Sequence, residues 1–404
     1  MKTLQNKRVL LGVTGGIAAY KSAELVRRLR ERGAEVQVVM TQSACEFITP
    51  LTMQALSGRP VYAKLLNHEF EAGMWHIELA RWCDIALVAP STANFISRLA
   101  HGRADDLLST LCLVTDVQLL VAPAMNQQMW LNSATKANIA IIQDRNIKVL
   151  DPAVGDQACG ESGPGRMLEP EELVTALESE FHTSVLVGTC VMITAGPTRE
   201  AIDPVRYISS RSSGRIGYAI ARAAVEAGAE VTLVTGPVSL SPPDQVRCVQ
   251  VMTAEQMRSA VMSEAGSVDI FISAAAVADY RCNDIADQKI KSNDASISIS
   301  LKKNPDILLE VAGLGNSPFT VGFAAETELL KENALKKLKN KGLDMIAANQ
   351  VGDNIGFESE DNAIDVYWHN GSLILERCSK EKLARKLINV VAKNYYDKHQ
   401  EGAH

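Results

Sequence analysis

The sequence lacks the features that several classes of protein require. No run of apolar residues approaches the ~18 needed to cross a membrane, and the start, MKTLQNKRVLLGV, has no cleavable apolar core. None of the eight cysteines forms a CxxC pair or stands at a metal-ligand spacing from a histidine, which argues against a structural zinc site. We therefore expect a cytoplasmic protein without membrane association, whose thiols are mostly reduced and buried.

The sequence also lacks a basic excess and low-complexity segments. The net charge of −6 is divided evenly between the parts before and after residue 188, so neither part has the charge typical of nucleic-acid binding. With 404 residues the chain is too long for one ordinary domain of ~100 to 200 residues. We predict two globular domains, residues 1–188 and 189–404, with a linker near residues 182–189.

Short apolar strands alternate with amphipathic helices in both parts. In the first, KRVLLGV, AEVQVVMT, CDIALVAP and VQLLVAPAM have the composition of buried strands, and AAYKSAELVRRLRERG has the spacing of a helix. The pattern restarts at Cys190 with CVMITAGPTRE, SSGRIGYAIARAAVEAGA, EVTLVTGP and SVDIFISAAAVADY. Such patterns predict parallel sheets covered by helices on both faces, so we expect an α/β fold with two doubly wound, Rossmann-like domains.

A glycine-rich turn follows the first predicted strand, in GVTGGIAAYK. Glycines there let the backbone pass close to a ligand, and the N–H groups that start the next helix suit a phosphate. The spacing is GxxGG rather than the GxGxxG of dinucleotide sites, and no acidic residue ends the second strand to bind a ribose hydroxyl. The turn favours a mononucleotide over NAD, although a tight turn without a ligand explains this loop alone equally well.

Loops after other predicted strands favour a ligand. MTQSACEF, APSTANFISRLAHGRADDLLS and APAMNQQMW are rich in hydroxyl and amide side chains, and doubly wound folds bind ligands at the carboxyl ends of their strands. In the second part GxxxxGK[ST] is absent, which excludes a P-loop ATPase as the interpretation of SSGRIG.

Motifs in both parts resemble known enzyme families. In residues 1 to about 180, GVTGGIAAYK, PSTANFISRLAHGRADDLLS, PAMNQQMW and GDQACGESGPGRM are similar to signatures of the flavin-dependent cysteine decarboxylases. From residue 190 to about 395, ITAGPTREAIDPVRYISSRSSGRIG, SAAAVADY, KIK, KKNPDIL and VGFAAET resemble phosphopantothenoylcysteine synthetase. The chain thus resembles the bacterial bifunctional proteins of coenzyme A biosynthesis, which implies a flavodoxin-like flavoprotein domain followed by a nucleotide-binding α/β domain.

For the first domain the resemblance implies FMN and decarboxylation of a cysteine moiety. In the family, flavin oxidises the substrate thiol to a thioaldehyde, carbon dioxide leaves, and the enethiolate is reduced to the aminothiol. The motif matches place the flavin contacts at Gly15, Gly16, Ile17, Ser43, Thr92 and Asn94. They make His76 the catalytic base, Asn126 the ligand of the substrate carboxylate and Cys159 the proton donor. For His76, Asn126 and the polar flavin contacts, capping, turn formation or packing is the structural alternative.

For the second domain the resemblance implies a ligase that joins phosphopantothenate to L-cysteine. CTP converts the carboxylate into an acyl-cytidylate with release of pyrophosphate, cysteine displaces CMP, and Mg²⁺ with cationic groups stabilises the phosphates. The motif matches place the CTP contacts at Ser273, Ala274, Ala275, Asp279, Lys289, Pro305, Asp306, Ile307, Leu308, Phe323, Lys337 and Lys341. Lys337 and Lys341 share one predicted helical face, which suits two phosphate contacts but also an exposed lysine face. The metal ligands stay unassigned.

One position departs from the family pattern. RYISN normally precedes the SSG turn, and its asparagine assists the attack of cysteine on the acyl-cytidylate, whereas this chain has RYISS with Ser210 there. Serine reaches less far than asparagine and lacks the paired donor and acceptor of an amide. We therefore expect this difference to affect amide formation but not nucleotide binding.

Two alternative functions remain open. In the first, Ser210 impairs the ligase and only the decarboxylase is active. In the second, the chain is a non-enzymatic flavoprotein that regulates a partner phosphatase, although such a protein would be expected to have lost His76, Asn126 or Cys159. The family also implies a homo-oligomer, a dodecamer built from trimers of the first domain and dimers of the second, with flavin sites at subunit interfaces.

Overall fold

The computed structural model describes residues 3–65, 75–158, 160–291, 298–326, 328–350 and 361–401. Contacts divide the chain into two compact units, Met1–Phe181 and His182–His404. The break falls at the start of the segment that the sequence marks as a linker. The functional boundary at residue 188 stays a prediction.

The first unit alternates strands and helices along the chain. Its strands are β1 (Arg8–Val13), β2 (Glu35–Met40), β3 (Ile85–Ser91), β4 (Leu119–Pro123), β5 (Lys148–Val149), β6 (Ala153–Asp156) and β7 (Ser162–Arg166). Its helices are α1 (Ala19–Glu31), α2 (Ala44–Phe47), α3 (Pro50–Ser57), α4 (Trp75–Trp82), α5 (Ala93–Ala100), α6 (Leu107–Val114), α7 (Gln127–Leu131), α8 (Ser133–Asp144) and α9 (Pro170–Phe181).

A parallel sheet in the order β2-β1-β3-β4-β5 forms the centre of this unit. Successive side chains of a strand point to opposite faces. Leu11 of β1 belongs to a core that includes residues of α1 and α9, and Leu10 belongs to a second core that includes residues of α5 and α6. Both faces are therefore covered, which confirms the doubly wound fold and explains why β1 reads as an unbroken apolar run.

The second unit begins with another strand-helix alternation. Its strands are β8 (Cys190–Ala195), β9 (Arg199–Ala201), β10 (Tyr207–Ser209), β11 (Glu230–Thr235), β12 (Val246–Gln250), β13 (Ile270–Ser273), β14 (Tyr280–Cys282), β15 (Leu301–Lys303), β16 (Phe319–Glu326), β17 (Met345–Gln350), β18 (Asp361–Trp368) and β19 (Gly371–Ser379). Its α-helices are α10 (Arg215–Glu226), α11 (Ala254–Met262), α12 (Ile307–Ala312), α13 (Leu330–Lys341) and α14 (Lys380–Glu401), with a 3-10 helix at Ala265–Ser267.

The main sheet of the second unit has the order β12-β11-β8-β13-β16-β17-β18-β19. The strands from β12 to β17 are parallel, and β18 and β19 add an antiparallel edge that the sequence analysis does not predict. Ile193 of β8 packs with α10 and α14, whereas Met192 packs with α11, α12 and α13 on the other face. This unit is thus also an α/β fold with helices on both faces.

Candidate active sites

Loops after β1, β3 and β4 border a cavity of about 550 Å³ in the first unit. These strands are neighbours and run parallel, so their carboxyl ends meet at one edge of the sheet. Predicted site residues from all three loops line the cavity, namely Gly15, Gly16, Ile17, Thr92 and Asn126. Space for a ligand is therefore present where these loops converge.

The two glycines of the first loop have different surroundings. A Cβ on Gly15 would lie 2.4 Å from Cβ and 2.5 Å from Oγ of Ser43, so packing within the chain excludes a side chain there. A Cβ on Gly16 would meet Cγ2 of Thr92 at 3.7 Å, which is an ordinary contact. Contacts within the described chain therefore do not require glycine at position 16, and its open side faces the cavity.

The start of α1 presents backbone N–H groups at the same cavity. Ala18 precedes the helix without a side-chain cap, and the first turn contains no acidic residue. Within the described ranges, the N–H groups of Gly15, Gly16 and Ile17 have no hydrogen-bond acceptor. Free N–H groups at the positive end of a helix dipole bind anions, so a phosphate fits this position.

Thr14 joins two of the loops. Its hydroxyl donates to the carbonyl of Pro90 at 2.8 Å and accepts a hydrogen bond from the N–H of Thr92 at 3.1 Å. Oγ1 of Thr92 accepts from the N–H of Phe95 at 3.3 Å, which caps α5 and leaves the hydroxyl proton available to a ligand. Thr92 thus has a capping role and also lines the cavity.

Two predicted flavin contacts are placed differently. Ser43 and Asn94 are exposed, and neither is among the described residues that line the cavity. Ser43 lies behind Gly15, where it fills the space that a side chain at that position would need. Ser43 therefore limits the side chain at position 15, and its contact with FMN stays a prediction.

The side-chain amide of Asn126 is held at both ends. Its Oδ1 accepts from the N–H of Gln128 at 2.8 Å and caps α7. Its Nδ2 donates to Oε1 of Gln157 at 3.3 Å and to Oε2 of Glu161 at 2.8 Å. Hydrogen bonds from Asn126 and then Gln127 hold the pKa of Glu161 below its ordinary value. A substrate carboxylate at Asn126 therefore has to share this amide with Glu161 or replace it.

Glycines let the β6–β7 hairpin lie against the loop after β4. The N–H of Met125 donates to the carbonyl of Gly165 at 2.9 Å. A Cβ on Gly163 would lie 2.0 Å from Oε1 of Gln127, and one on Gly165 would lie 2.2 Å from the carbonyl oxygen of Met125. The glycines in GESGPGRM are thus the sequence signal for this contact, although their role follows only from the tertiary structure.

The other two predicted catalytic residues of this domain do not join the cavity in the described chain. His76 is half-buried on α4 and is not among the described residues that line the cavity. Cys159 lies outside the described residues, although its sequence neighbour Ala158 lines the cavity. One chain therefore brings Asn126 and the glycine turn together without His76.

Some of the predicted CTP residues lie at the carboxyl edge of the second sheet. Ser273 ends β13, which pairs with β16, the strand of Phe323. The N–H of Ala274 donates to the carbonyl of Thr194 at 3.2 Å, and the N–H of Ala275 donates to its Oγ1 at 3.3 Å. The end of β8 thus fixes the loop that follows β13.

The two predicted phosphate-binding lysines both contact carboxylates. Nζ of Lys337 lies 2.7 Å from Oε1 of Glu326, and Nζ of Lys341 lies 2.8 Å from Oδ2 of Asp306. The lysine side chains are 44% and 28% exposed, so each ion pair contributes only about 0–1 kcal/mol to stability. The structure thereby joins Lys341 and Asp306, and an incoming phosphate would compete with Asp306 for the lysine.

Part of the segment from Pro305 to Leu308 points away from solvent. Ile307 and Leu308 are 5% and 8% exposed and pack in the core, because the apolar face of α12 lies against the sheet. Their side chains therefore pack in the core, and the assignment of this segment to CTP stays a prediction. Only their backbone and the half-buried Pro305 and Asp306 remain available to a ligand.

Three further predicted residues are exposed. Asp279 and Lys289 lie before and after β14, and Ser210 follows β10. None of the three is among the described residues that line a cavity of this unit. All three side chains are accessible to a ligand from solvent.

The second unit has a cavity of about 600 Å³ that the sequence analysis does not predict. Arg199, Ser212, Ser213 and Arg215 line its polar side, at the start of α10. The helix has no side-chain cap and no acidic residue in its first turn. Two guanidinium groups at a helix N-terminus favour a phosphate, and the signal for it was the run RSSGR.

Two kinds of feature are absent from the residues that the structure describes. No helix there is long and apolar enough to span a membrane. No group of three or more His, Cys, Asp or Glu side chains in the described ranges could hold a metal ion.

Comparisons with known proteins agree for both units. The family model described as DNA/pantothenate metabolism flavoprotein C-terminal domain matches residues 186–395, and the model described as Flavoprotein matches residues 1–182. A crystal structure of the C-terminal domain of a coenzyme A biosynthesis bifunctional protein CoaBC is 39% identical, covers 53% of this chain and 99% of that chain, and has a TM-score of 0.46.

Relatives match over nearly the whole length. The chain is 54% identical to the coenzyme A biosynthesis bifunctional protein CoaBC of Vibrio vulnificus strain YJ016, over 97% of this chain and 98% of that protein. It is 48% identical to the protein of the same name from Escherichia coli K12, over 98% of this chain and 100% of that protein. The chain therefore belongs to the family of bifunctional coenzyme A biosynthesis proteins.

Proposed function

We propose that the chain catalyses two consecutive steps of coenzyme A biosynthesis. The second unit joins phosphopantothenate to L-cysteine with CTP, and the first unit decarboxylates the cysteine moiety with FMN to give 4′-phosphopantetheine. The proposal rests on the 54% sequence identity to the Vibrio vulnificus protein, which extends through both units. This identity makes the chain a bifunctional enzyme, a lyase and a ligase. A purely regulatory flavoprotein is therefore disfavoured.

The cavity of the first unit supports FMN as the cofactor. The N–H groups of Gly15, Gly16 and Ile17, which have no acceptor among the described residues, suit its single phosphate, and Thr92 offers a hydroxyl proton beside them. The space beside the Cα of Gly16 is open to a ligand, because the described atom nearest to a Cβ there would be Cγ2 of Thr92, at 3.7 Å. When bound, FMN supplies the oxidation and reduction of the substrate.

The remaining groups of this site position the substrate and handle protons. Nδ2 of Asn126 donates to the substrate carboxylate, whose desolvation near an apolar cavity wall favours loss of neutral carbon dioxide. Cys159 is the proposed proton donor. Asn126 belongs to a loop at the carboxyl edge of the sheet, where this fold binds ligands, and Ala158, the sequence neighbour of Cys159, lines the same cavity.

His76 acts, in this proposal, at the cavity of a neighbouring copy. It does not line the cavity of its own chain, among the described residues, and the predicted oligomer has flavin sites at subunit interfaces. Ile17 and Tyr20 border the cavity with 65% and 62% of their surfaces exposed, as expected for residues that another subunit covers. The dodecamer itself stays a proposal.

The ligase requires activation because a carboxylate oxygen is a poor leaving group. The carboxylate oxygen attacks the α-phosphorus of CTP and pyrophosphate leaves, so the acyl-cytidylate has CMP as its leaving group, and cations stabilise the charge that develops on the phosphates. Lys289, Lys337 and Lys341 are proposed for the triphosphate, together with Mg²⁺. Arg199 and Arg215 in the 600 Å³ cavity add a second cationic position, suited to the phosphate of phosphopantothenate or to the triphosphate.

Product analysis tests the proposal. The purified protein should be yellow, and with phosphopantothenate, cysteine, CTP and Mg²⁺ it should release pyrophosphate, CMP and carbon dioxide. Decarboxylation of supplied phosphopantothenoylcysteine without CMP formation would mean that only the first unit is active. If neither reaction occurs with FMN present, the proposed function is wrong.

A further inference from the structure

Asp203 is a buried carboxylate in the turn between β9 and β10. It is 2% exposed, and Oδ1 accepts hydrogen bonds from the N–H groups of Val205 and Arg206, each at 2.7 Å. Burial by itself raises the pKa of Asp203, but its hydrogen bonds to Val205, Arg206 and Ile290 and the charge of Arg206 outweigh this and leave the pKa below its ordinary value. The carboxylate is therefore charged, and one oxygen is used within its own turn.

The second oxygen of Asp203 holds a different segment. Oδ2 accepts a hydrogen bond at 3.2 Å from the N–H of Ile290, the residue after Lys289. A second bond, from the N–H of Ala286 to the carbonyl of Ile202 at 3.0 Å, joins the same two segments. The segment that carries Lys289 is thus fastened to the β9–β10 hairpin, which leads directly to Ser210.

We propose that Asp203 is a positioning residue of the ligase, which holds Lys289 beside the β9–β10 hairpin that leads to Ser210. The inference rests on the proposed function, since it assigns Lys289 to CTP and Ser210 to the amide-forming step. Lys289 is exposed, and its own side chain has no partner that fixes it in the described part of the chain. Its position therefore depends on the backbone next to it, where Asp203 provides a charged acceptor.

The consequence for catalysis is a preorganisation effect. A ligand that binds only the ordered form of a segment has its apparent affinity reduced by the fraction of chains in which that form is present. If loss of the Asp203 contact leaves the segment ordered about a tenth of the time, KM for CTP should rise about tenfold. The turnover number should change less, because Asp203 does not touch the reacting atoms.

Asp203→Asn is the informative substitution. An asparagine keeps Oδ1 for Val205 and Arg206 but presents an NH₂ group to the N–H of Ile290, so the bond between the segments is lost. Asp269→Asn is the matched control, since Oδ2 of Asp269 accepts the N–H of Cys190 at 2.7 Å at the amino end of the sheet. Both variants remove one charge and weaken one side-chain bond to backbone. Each also weakens one interaction with a side chain, namely Arg206 at 3.6 Å from Oδ2 of Asp203, and Tyr395 beside Asp269.

Two measurements on the full-length protein separate positioning from general damage. The first is the KM for CTP and the turnover number for pyrophosphate release, with decarboxylation of supplied phosphopantothenoylcysteine as the internal control. The second is the rate of tryptic cleavage after Lys291, which reports the freedom of the segment without requiring activity; the bond after Lys289 is not used, because trypsin does not cleave before the proline of Ile290→Pro. Ile290→Pro removes the donor from the other side and keeps the test informative if Asp203→Asn does not fold.

The proposal expects Asp203→Asn and Ile290→Pro to raise KM for CTP and tryptic cleavage at this segment about tenfold, with decarboxylation unchanged. Asp269→Asn should leave both values within about twofold of the wild type. Equal effects in Asp203→Asn and Asp269→Asn, or unchanged cleavage in Asp203→Asn, overturn the proposal. A wild-type protein that releases no pyrophosphate refutes the proposed function instead, and the cleavage comparison then still decides whether Asp203 holds the segment.

Discussion

Replacing Gly16 by alanine should separate ligand binding from folding in the first unit. Among the described residues the new Cβ would meet only Cγ2 of Thr92, at 3.7 Å, and the backbone at Gly16 is not in the left-handed region that favours glycine. The folded chain can therefore accept the methyl group without displacing a neighbour. Because alanine restricts the unfolded chain more than glycine does, stability should stay unchanged or rise by about 0.4–1 kcal/mol.

The same methyl group enters the space proposed for the FMN phosphate. Each backbone N–H bond to a charged group contributes about 1.5–3 kcal/mol, and a methyl group at Gly16 displaces the phosphate from at least one such donor. Loss of one bond corresponds to a fall in FMN affinity of about tenfold to a hundredfold. Gly15→Ala is the contrasting variant, because its Cβ would lie 2.4 Å from Cβ of Ser43 and overpacking of this kind costs about 1–3 kcal/mol of stability.

The assay is a titration of FMN-free protein with FMN, in which quenching of flavin fluorescence monitors binding. The melting temperature is measured on the same samples. Gly16→Ala should bind FMN weakly and keep the melting temperature of the wild type. Gly15→Ala should have a lower melting temperature. Pyrophosphate release from CTP, a reaction of the second unit, should be unaffected by Gly16→Ala. If Gly16→Ala binds FMN within twofold of the wild type, the phosphate does not lie at this turn and the reasoning fails.

Three further substitutions test the other assignments. Ser210→Asn should speed amide formation without changing pyrophosphate release in a single turnover, and an equal change in both steps would contradict the assigned role. Asn126→Ala should lower decarboxylation by more than about tenfold, through loss of a charged hydrogen bond, while CMP formation continues; retained decarboxylation would exclude this residue from the substrate site. Lys341→Met should raise KM for CTP and change the free energy of unfolding by less than about 1 kcal/mol, because the pair with Asp306 is partly exposed; an unchanged KM would assign the lysine to that pair alone.

The fold class could be predicted from the sequence because its signals are local. The apolar run of β1 and the amphipathic pattern of α1 each depend on residues close together in the chain, and both elements appear where predicted. In the segment SVDIFISAAAVADY, composition does not mark where the strand ends. The strand ends at Ser273, and the apolar alanines that follow form the loop at the carboxyl edge of the sheet.

The α/β alternation, the glycine turn and the chemical groups that are present follow from the order of residues along the chain. Which of those groups meet follows from the fold: Glu161 contacts the amide of Asn126, Asp306 contacts Lys341, and Asp203 contacts the backbone next to Lys289. The difference lies in the sequence separation over which each property is set. Backbone conformation and burial follow from neighbouring residues, whereas these contacts join residues far apart in the chain that become neighbours only after strand order and loop packing are set.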